Sequence, residues 1–172
     1  MGDLSLPEVE RLVATANAVR QRHAASGGAA ESDGRRAEQR LDILFMTGHR
    51  LAVYGTLAPG QPNHHVVAPL GGEWTEGLIV GELLSEGWGA ALGYPAFRPQ
   101  AGGVAVAVQV LTTPALATAW PALDRFEGPE YRRILVPVFS AVPSPGQTGE
   151  RRLLTVANLY AMTEASPATP RR

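Results

Sequence analysis

Two short stretches hold the residues whose types and spacing could do chemistry. The first is Leu123-Asp-Arg-Phe-Glu-Gly-Pro-Glu-Tyr-Arg-Arg133. Leu123 and Phe126 stand at i and i+3, so both can anchor the end of one helix in a core. Glu127 then falls at the helix terminus, directly before Gly128-Pro129, where the chain must turn. The carboxyl end of a helix already carries partial negative charge, so a carboxylate there is poorly placed. Like-charge proximity and partial burial would both raise its pKa, which suits a general acid/base working near neutrality. On local sequence alone, a solvent-facing surface glutamate explains the residue equally well.

The second stretch is Leu51 to Leu57, LAVYGTL. Leu51, Ala52 and Val53 read as a short buried strand bounded by turn chemistry. At Tyr54-Gly55-Thr56-Leu57 the strand stops. Gly55 permits close backbone approach, and the Thr56 hydroxyl can bond local amides. Backbone N–H groups left unpaired at such a turn can form an anion-binding nest. Taken alone, the tetrapeptide is a strand followed by a loop.

Other candidates are weaker. His64 and His65 are adjacent in a loop with no cysteine and no obvious third ligand, so no metal site is expected. Asn63 is expected to bond its own loop. Tyr94-Pro95 could form a cavity wall or a turn. Tyr131, four residues past Glu127, could bond it, line a pocket or pack in the core. Arg132 and Arg133 would point to opposite faces of a strand, so only one could face a site. Trp74, Trp88 and Trp120 read as core or hinge residues. Glu73, Glu76, Glu82 and Glu86 lack a helix-end position.

Composition narrows the function classes. The chain has 172 residues, enough for one buried core plus an extension. Its net charge of −1 gives no broad basic field for nucleic acid or anionic lipid. All 15 basic residues are arginines, so a Schiff base, a lysine base and a Walker-type phosphate loop are excluded. With 0 cysteines there is no disulfide, thiolate nucleophile or cysteine metal site. The first residues mix acidic and basic side chains among apolar ones, unlike a signal peptide, and no apolar run could cross a bilayer. A cytoplasmic location is expected.

These residues need elements to position them. Ser5 can cap a helix entered through Pro7, with Leu6, Val9, Leu12, Val13, Ala16 and Val19 on one stripe to about His23. Ser26 to Gly34 has loop composition, and a second helix is expected from Arg35 to about Met46. Short strands follow: Leu51–Val53, Gly77–Leu84, Gly103–Leu111, Arg133–Phe139 and Arg152–Met162. Pro137 suggests an edge or bulge in the fourth. A helix from Ala115 to Phe126, capped by Thr113-Pro114, is expected to break at Trp120-Pro121. Five strands and one internal helix suggest a small barrel or strongly curved sheet. The expected organisation is a helical extension over 1–48, a domain over 49–164 and a disordered tail over 165–172. The extension either packs on the core or mediates a homodimer.

VYGTL with the following G-x-x-NHH, GYPAF, the LDRFEGPEYRR run and ANLY together resemble the γ-glutamylcyclotransferase-like superfamily, in its AIG2-like branch. The resemblance runs from about Arg50 to Met162 and does not cover the N-terminal arm. It implies an α+β fold, a small mixed β-barrel with flanking helices. It implies that the loop matching Tyr54, Gly55, Thr56 and Leu57 holds a γ-glutamyl group through backbone amides, with Tyr94 and Tyr131 as further substrate-binding residues. The glutamate matching Glu127 would be the general acid/base. The implied reaction is attack of the substrate's α-amine on its own γ-carbonyl, releasing 5-oxoproline and an amine, with no cofactor and no metal. A small γ-glutamyl compound is then the expected partner, with neither nucleic acid nor membrane. A non-catalytic binding module, or another amide or acyl transfer in the same cavity, are the alternatives.

Overall fold

A computed structural model of the chain describes residues 4–21, 29–84, 95–142 and 151–162. Two helices lead, α1 (Leu6–Gln21) and α2 (Ala29–Phe45). Strands β1 (Arg50–Val53), β2 (Glu73–Leu84), β3 (Ala96–Pro99) and β4 (Val104–Thr112) follow. Helix α3 (Leu116–Glu127) precedes β5 (Tyr131–Phe139) and β6 (Leu153–Met162).

The sheet runs β3-β2-β4-β1-β6-β5, and β2 also meets β5 at Leu78 and Phe139. That contact closes β2, β4, β1, β6 and β5 into a five-stranded barrel, with β3 added outside β2. The barrel is mixed, because β1 and β6 run parallel at Leu51 and Asn158 while the other pairs are antiparallel. Alternation fills it from both sides. Val106, Val108, Val110, Ile134, Val136, Val138, Ala157 and Leu159 point inward around Ile79 and Phe97. Leu51, Val53, Leu111 and Tyr160 point outward and are covered by Leu116, Trp120 and Leu123 of α3.

The arm packs on the barrel. Val9, Val13 and Ala16 of α1, with Ala37 and Leu41 of α2, bury Leu135 of β5 and Val156 of β6. Glu8 at the helix start accepts hydrogen bonds from the Ser5 amide (2.8 Å) and hydroxyl (2.6 Å). This holds the Glu8 carboxyl below its ordinary pKa.

The structure corrects several expectations. Helix α2 begins at Ala29, so Ala29 to Gly34 is helical rather than loop. Gly34 is the reason this pays off: its missing Cβ would lie 2.0 Å from Val19 Cγ2, so the glycine lets α1 and α2 close together. Helix α3 is unbroken through Pro121. Leu116, Trp120 and Leu123 bury one face across the proline, and Trp120 Nε1 donates to the Gly48 carbonyl at 3.0 Å. Strand β3 was not foreseen, and β2 starts four residues before the expected Gly77. The irregularity expected near Pro137 is present as a register shift between Val138 and Phe139.

Candidate active site

Glu127 is the last residue of α3, and the end of that helix is held from two strands. Asp124, one turn earlier, accepts from Arg133 Nε at 3.0 Å and Nη2 at 3.2 Å, and from the Tyr160 hydroxyl at 2.6 Å. Arg133 also lies over the Trp120 ring, 4.4 Å from its centroid. Beyond Glu127 the chain leaves the helix through Gly128, whose φ of 80° is a conformation that glycine adopts without strain. The outcome is that Glu127 faces inward.

The loop after β1 is clamped with equal care. The Asn63 side chain donates to the Thr56 hydroxyl at 3.0 Å, and the Asn63 amide donates to the Thr56 carbonyl at 3.0 Å. Asn63 thus bonds its own loop, as its position suggested. His64 Nδ1 lies 3.0 Å from the Leu57 carbonyl, and the His64 ring tilts against Trp74. The Leu57 side chain is buried. Among the described residues, no acceptor takes the amide protons of Gly55, Thr56 or Leu57. They form the unpaired donor set that the turn chemistry predicted.

Both pieces line one pocket. Tyr54, Gly55, Thr56, Leu57, Glu127 and Tyr131 surround it, together with Ala52, Val53, Pro95 and Tyr160. Its interior holds about 60 Å³ of water-accessible space. Of the residues expected at the site, only Tyr94 lies outside the described residues. Pro95 stands in the wall, one of the two readings of Tyr94-Pro95, whereas Tyr160 was not foreseen. Tyr160 sits in the ANLY segment, and its outward position in β6 follows from alternation with the inward Leu159. Nothing in the sequence shows that β6 runs beside β1, which is what brings it here.

Tyr54 knits the walls together. Its hydroxyl accepts from the Phe97 amide at 3.1 Å and donates to the Tyr160 carbonyl at 3.1 Å. Burial raises the pKa of this phenol, so it stays neutral. Burial likewise pushes the Glu127 carboxyl up to about 7. Burial is the cause, and the like-charge proximity anticipated at the helix end is not among the causes. At that pKa the group exchanges protons readily in either direction near neutral pH.

The other candidates have structural duties. Arg132 donates to the carbonyls of Arg20 and Gln21 at the end of α1, and Arg133 is held by Asp124. Glu82 pairs with Arg98 at 2.7 Å, while Glu73 and Glu76 are exposed. Trp88 and Glu86 lie outside the described residues. His65 Nδ1 contacts the Pro62 carbonyl at 3.1 Å. Among the described residues no three His, Asp or Glu side chains gather as a metal site. No described helix is long and apolar enough to cross a membrane.

Similarity to known proteins follows the same core. A crystal structure of an AIG2-like protein from Mus musculus superposes with a TM-score of 0.51 at 24% identity, over 69% of this chain and 80% of that one. YkqA from Bacillus subtilis gives 0.48 at 23% identity, over 66% of this chain and 35% of its own. An uncharacterized protein from Pyrococcus horikoshii gives 0.44 at 21%, over 71% and 80%. No curated protein matches the chain. The sequence pattern described as gamma-glutamyl cyclotransferase, AIG2-like, matches residues 51–171, from β1 onward and without the two helices of the arm. The chain therefore belongs to the gamma-glutamyl cyclotransferase, AIG2-like family.

Proposed function

We propose that this protein is a γ-glutamyl cyclotransferase that releases 5-oxoproline and an amine from a γ-glutamyl amide, with Glu127 as the general acid/base. One juxtaposition carries this: three unpartnered loop amides and a carboxyl with a pKa near 7 line the same small pocket. The amides of Gly55, Thr56 and Leu57 suit the anionic end of a glutamyl group. A pocket serving only to bind an anion would gain nothing from Glu127, which favours catalysis over passive binding.

The chemistry asks for orientation and proton transfer. The substrate's α-nitrogen forms a bond to its own γ-carbonyl carbon, and the bond from that carbon to the leaving nitrogen breaks. Two protons leave the α-nitrogen, which starts as an ammonium and ends as the lactam N–H. Both finish on the departing amine, which leaves as an ammonium. Ionised Glu127 takes the first proton and passes it to the leaving nitrogen, then repeats the relay as the tetrahedral centre collapses. Holding amine and carbonyl together is worth an effective concentration of about 10⁵–10⁸ M in well-oriented cyclisations. The confined loop and the Tyr54-bridged walls supply that orientation.

The test is to incubate the protein with γ-glutamyl amines and γ-glutamyl amino acids and follow 5-oxoproline by mass spectrometry. Stoichiometric 5-oxoproline and free amine are expected. Release of glutamate instead would assign the pocket to hydrolysis, with water as the attacking group.

A further inference from the structure

Tyr131 and Tyr160 have a second side. Beyond them lies a larger cleft of about 400 Å³, walled by Arg20 and Glu38 of the arm, Asp124 of α3, and Arg132 and Arg133 of β5. The two cavities share both tyrosines as walls, so the cleft adjoins the active pocket. Two of its three guanidinium groups are matched by carboxylates. Arg20 pairs with Glu38 and also donates to Asn158 Oδ1 at 2.7 Å, and Arg133 pairs with Asp124.

Arg132 is different. It donates through Nη1 to two uncharged acceptors, the Gln21 carbonyl at 2.6 Å and the Arg20 carbonyl at 3.4 Å. Among the described residues no acceptor takes its Nε or Nη2 protons. Those two groups form one edge of the guanidinium fork, the geometry that receives a carboxylate through two parallel bonds. The cleft therefore holds one positive charge in excess and a free fork to direct it.

We propose that this cleft, half built by the N-terminal arm, is the leaving-group subsite, and that it selects γ-glutamyl compounds whose leaving amine carries a carboxylate, with Arg132 receiving that carboxylate. This rests on the cyclotransferase reading of the adjoining pocket. Arg20 and Glu38 lie before residue 51, outside the family match, while Arg132 lies within it, so the cleft joins the arm to the family's core.

The experiment uses the full chain and pairs of synthetic substrates. The γ-glutamyl group is joined to glycine, 4-aminobutanoic acid or 6-aminohexanoic acid, each compared with its neutral primary carboxamide. At the best chain length the carboxylate should exceed the carboxamide in kcat/KM by about tenfold, as one charge-assisted fork contact allows. Arg132→Gln should bring that ratio close to one. Glu38→Gln, which releases Arg20 from its partner, should raise it. Effects of opposite sign on one ratio cannot come from a loosened fold. A ratio within twofold of one at every length, or one untouched by Arg132→Gln, overturns the subsite. Binding of the same pairs to Glu127→Gln, measured by calorimetry, separates the two readings. Carboxylate-selective binding without turnover by wild type would sink the reaction and keep the subsite. Turnover without selectivity would do the reverse, and absence of both binding and turnover would sink both.

Discussion

Asn17 of α1 takes the place of a missing strand beside Leu135 of β5. Its side-chain carbonyl accepts from the Leu135 amide at 2.8 Å, and its side-chain amide donates to the Leu135 carbonyl at 2.8 Å. Strand β5 meets β2 only at Phe139, so most of that edge would otherwise be open. An open edge is a template for pairing with other chains. The arm thus closes the barrel as much as it covers it.

Asn17→Ala should destabilise the protein by about 1–3 kcal/mol, the cost of leaving a part-buried donor and acceptor unpaired. Chemical denaturation checks this through a lower midpoint at unchanged slope. Asn17→Asp is a sharper variant, since it keeps the acceptor for Leu135 N–H and loses the donor for Leu135 C=O. A midpoint within error of wild type for both would remove the edge-capping role. Truncation before Gly48 should expose the edge and the Leu135 and Val156 surface together. The shortened chain is expected to lose solubility or change its mass in solution.

Gly34→Ala tests how closely the arm's two helices approach. In an exposed helix this change stabilises by about 1 kcal/mol. Here the new Cβ would sit 2.0 Å from Val19 Cγ2 and 2.8 Å from Val19 Cβ, so α1 and α2 must move apart. A lower Tm is expected, by several degrees, because overpacking of this kind costs about 1–3 kcal/mol. Combining it with Val19→Ala removes the obstruction and should recover most of the loss. A Gly34→Ala protein with a raised Tm would show that the helices do not meet there.

That helix pair also shows where sequence reasoning reaches its end. The apolar stripe of α1 and the apolar runs of β4 and β6 are local patterns, and they were legible. The start of α2 was not, because Ser26 to Gly34 is rich in residues that favour turns. Its helical part is stabilised by contact with α1, which no local window contains. Pro121 is a similar case. The proline removes one backbone bond and strains the turn before it. The buried faces of Trp120 and Leu123 offset that cost, and only the assembled barrel provides them. At the site, Glu127 and the Tyr54–Leu57 loop were readable as separate fragments, one from its helix end and one from its turn. What joins them is the parallel pairing of β1 with β6 and the clamp of Tyr160 on Asp124, neither of which leaves a local pattern.

The raised pKa of Glu127 has a consequence for stability. A carboxyl at about 7 in the folded chain and about 4.5 when unfolded binds more protons folded than unfolded between those values. Stability from this group is fully present below pH 4.5 and is lost as pH rises through 7. The full loss is on the order of 3 kcal/mol. Glu127→Gln keeps the side chain neutral at every pH and should flatten this part of the profile. Denaturation midpoints of both proteins between pH 5 and 8 provide the measurement. Parallel curves would mean that the carboxyl titrates normally, and would count against its burial.

The same substitution tests the chemistry directly. Glutamine preserves the shape of Glu127 and its capacity for hydrogen bonds, but it cannot carry a proton from the α-nitrogen to the leaving amine. Loss of general acid/base catalysis should lower kcat by about 10²–10⁴-fold. KM should change little, because the amides of Gly55, Thr56 and Leu57 belong to the backbone and are untouched. In wild type, kcat/KM should rise with pH through about 7 as Glu127 ionises, and this limb should vanish from the residual activity of the variant. Tyr54→Phe offers the contrast. It removes the bridge between Phe97 and Tyr160 and should raise KM through a looser pocket while leaving the limb near pH 7 in place. A Glu127→Gln enzyme with wild-type kcat, or one that keeps the same pH limb, would show that the proton moves by another route.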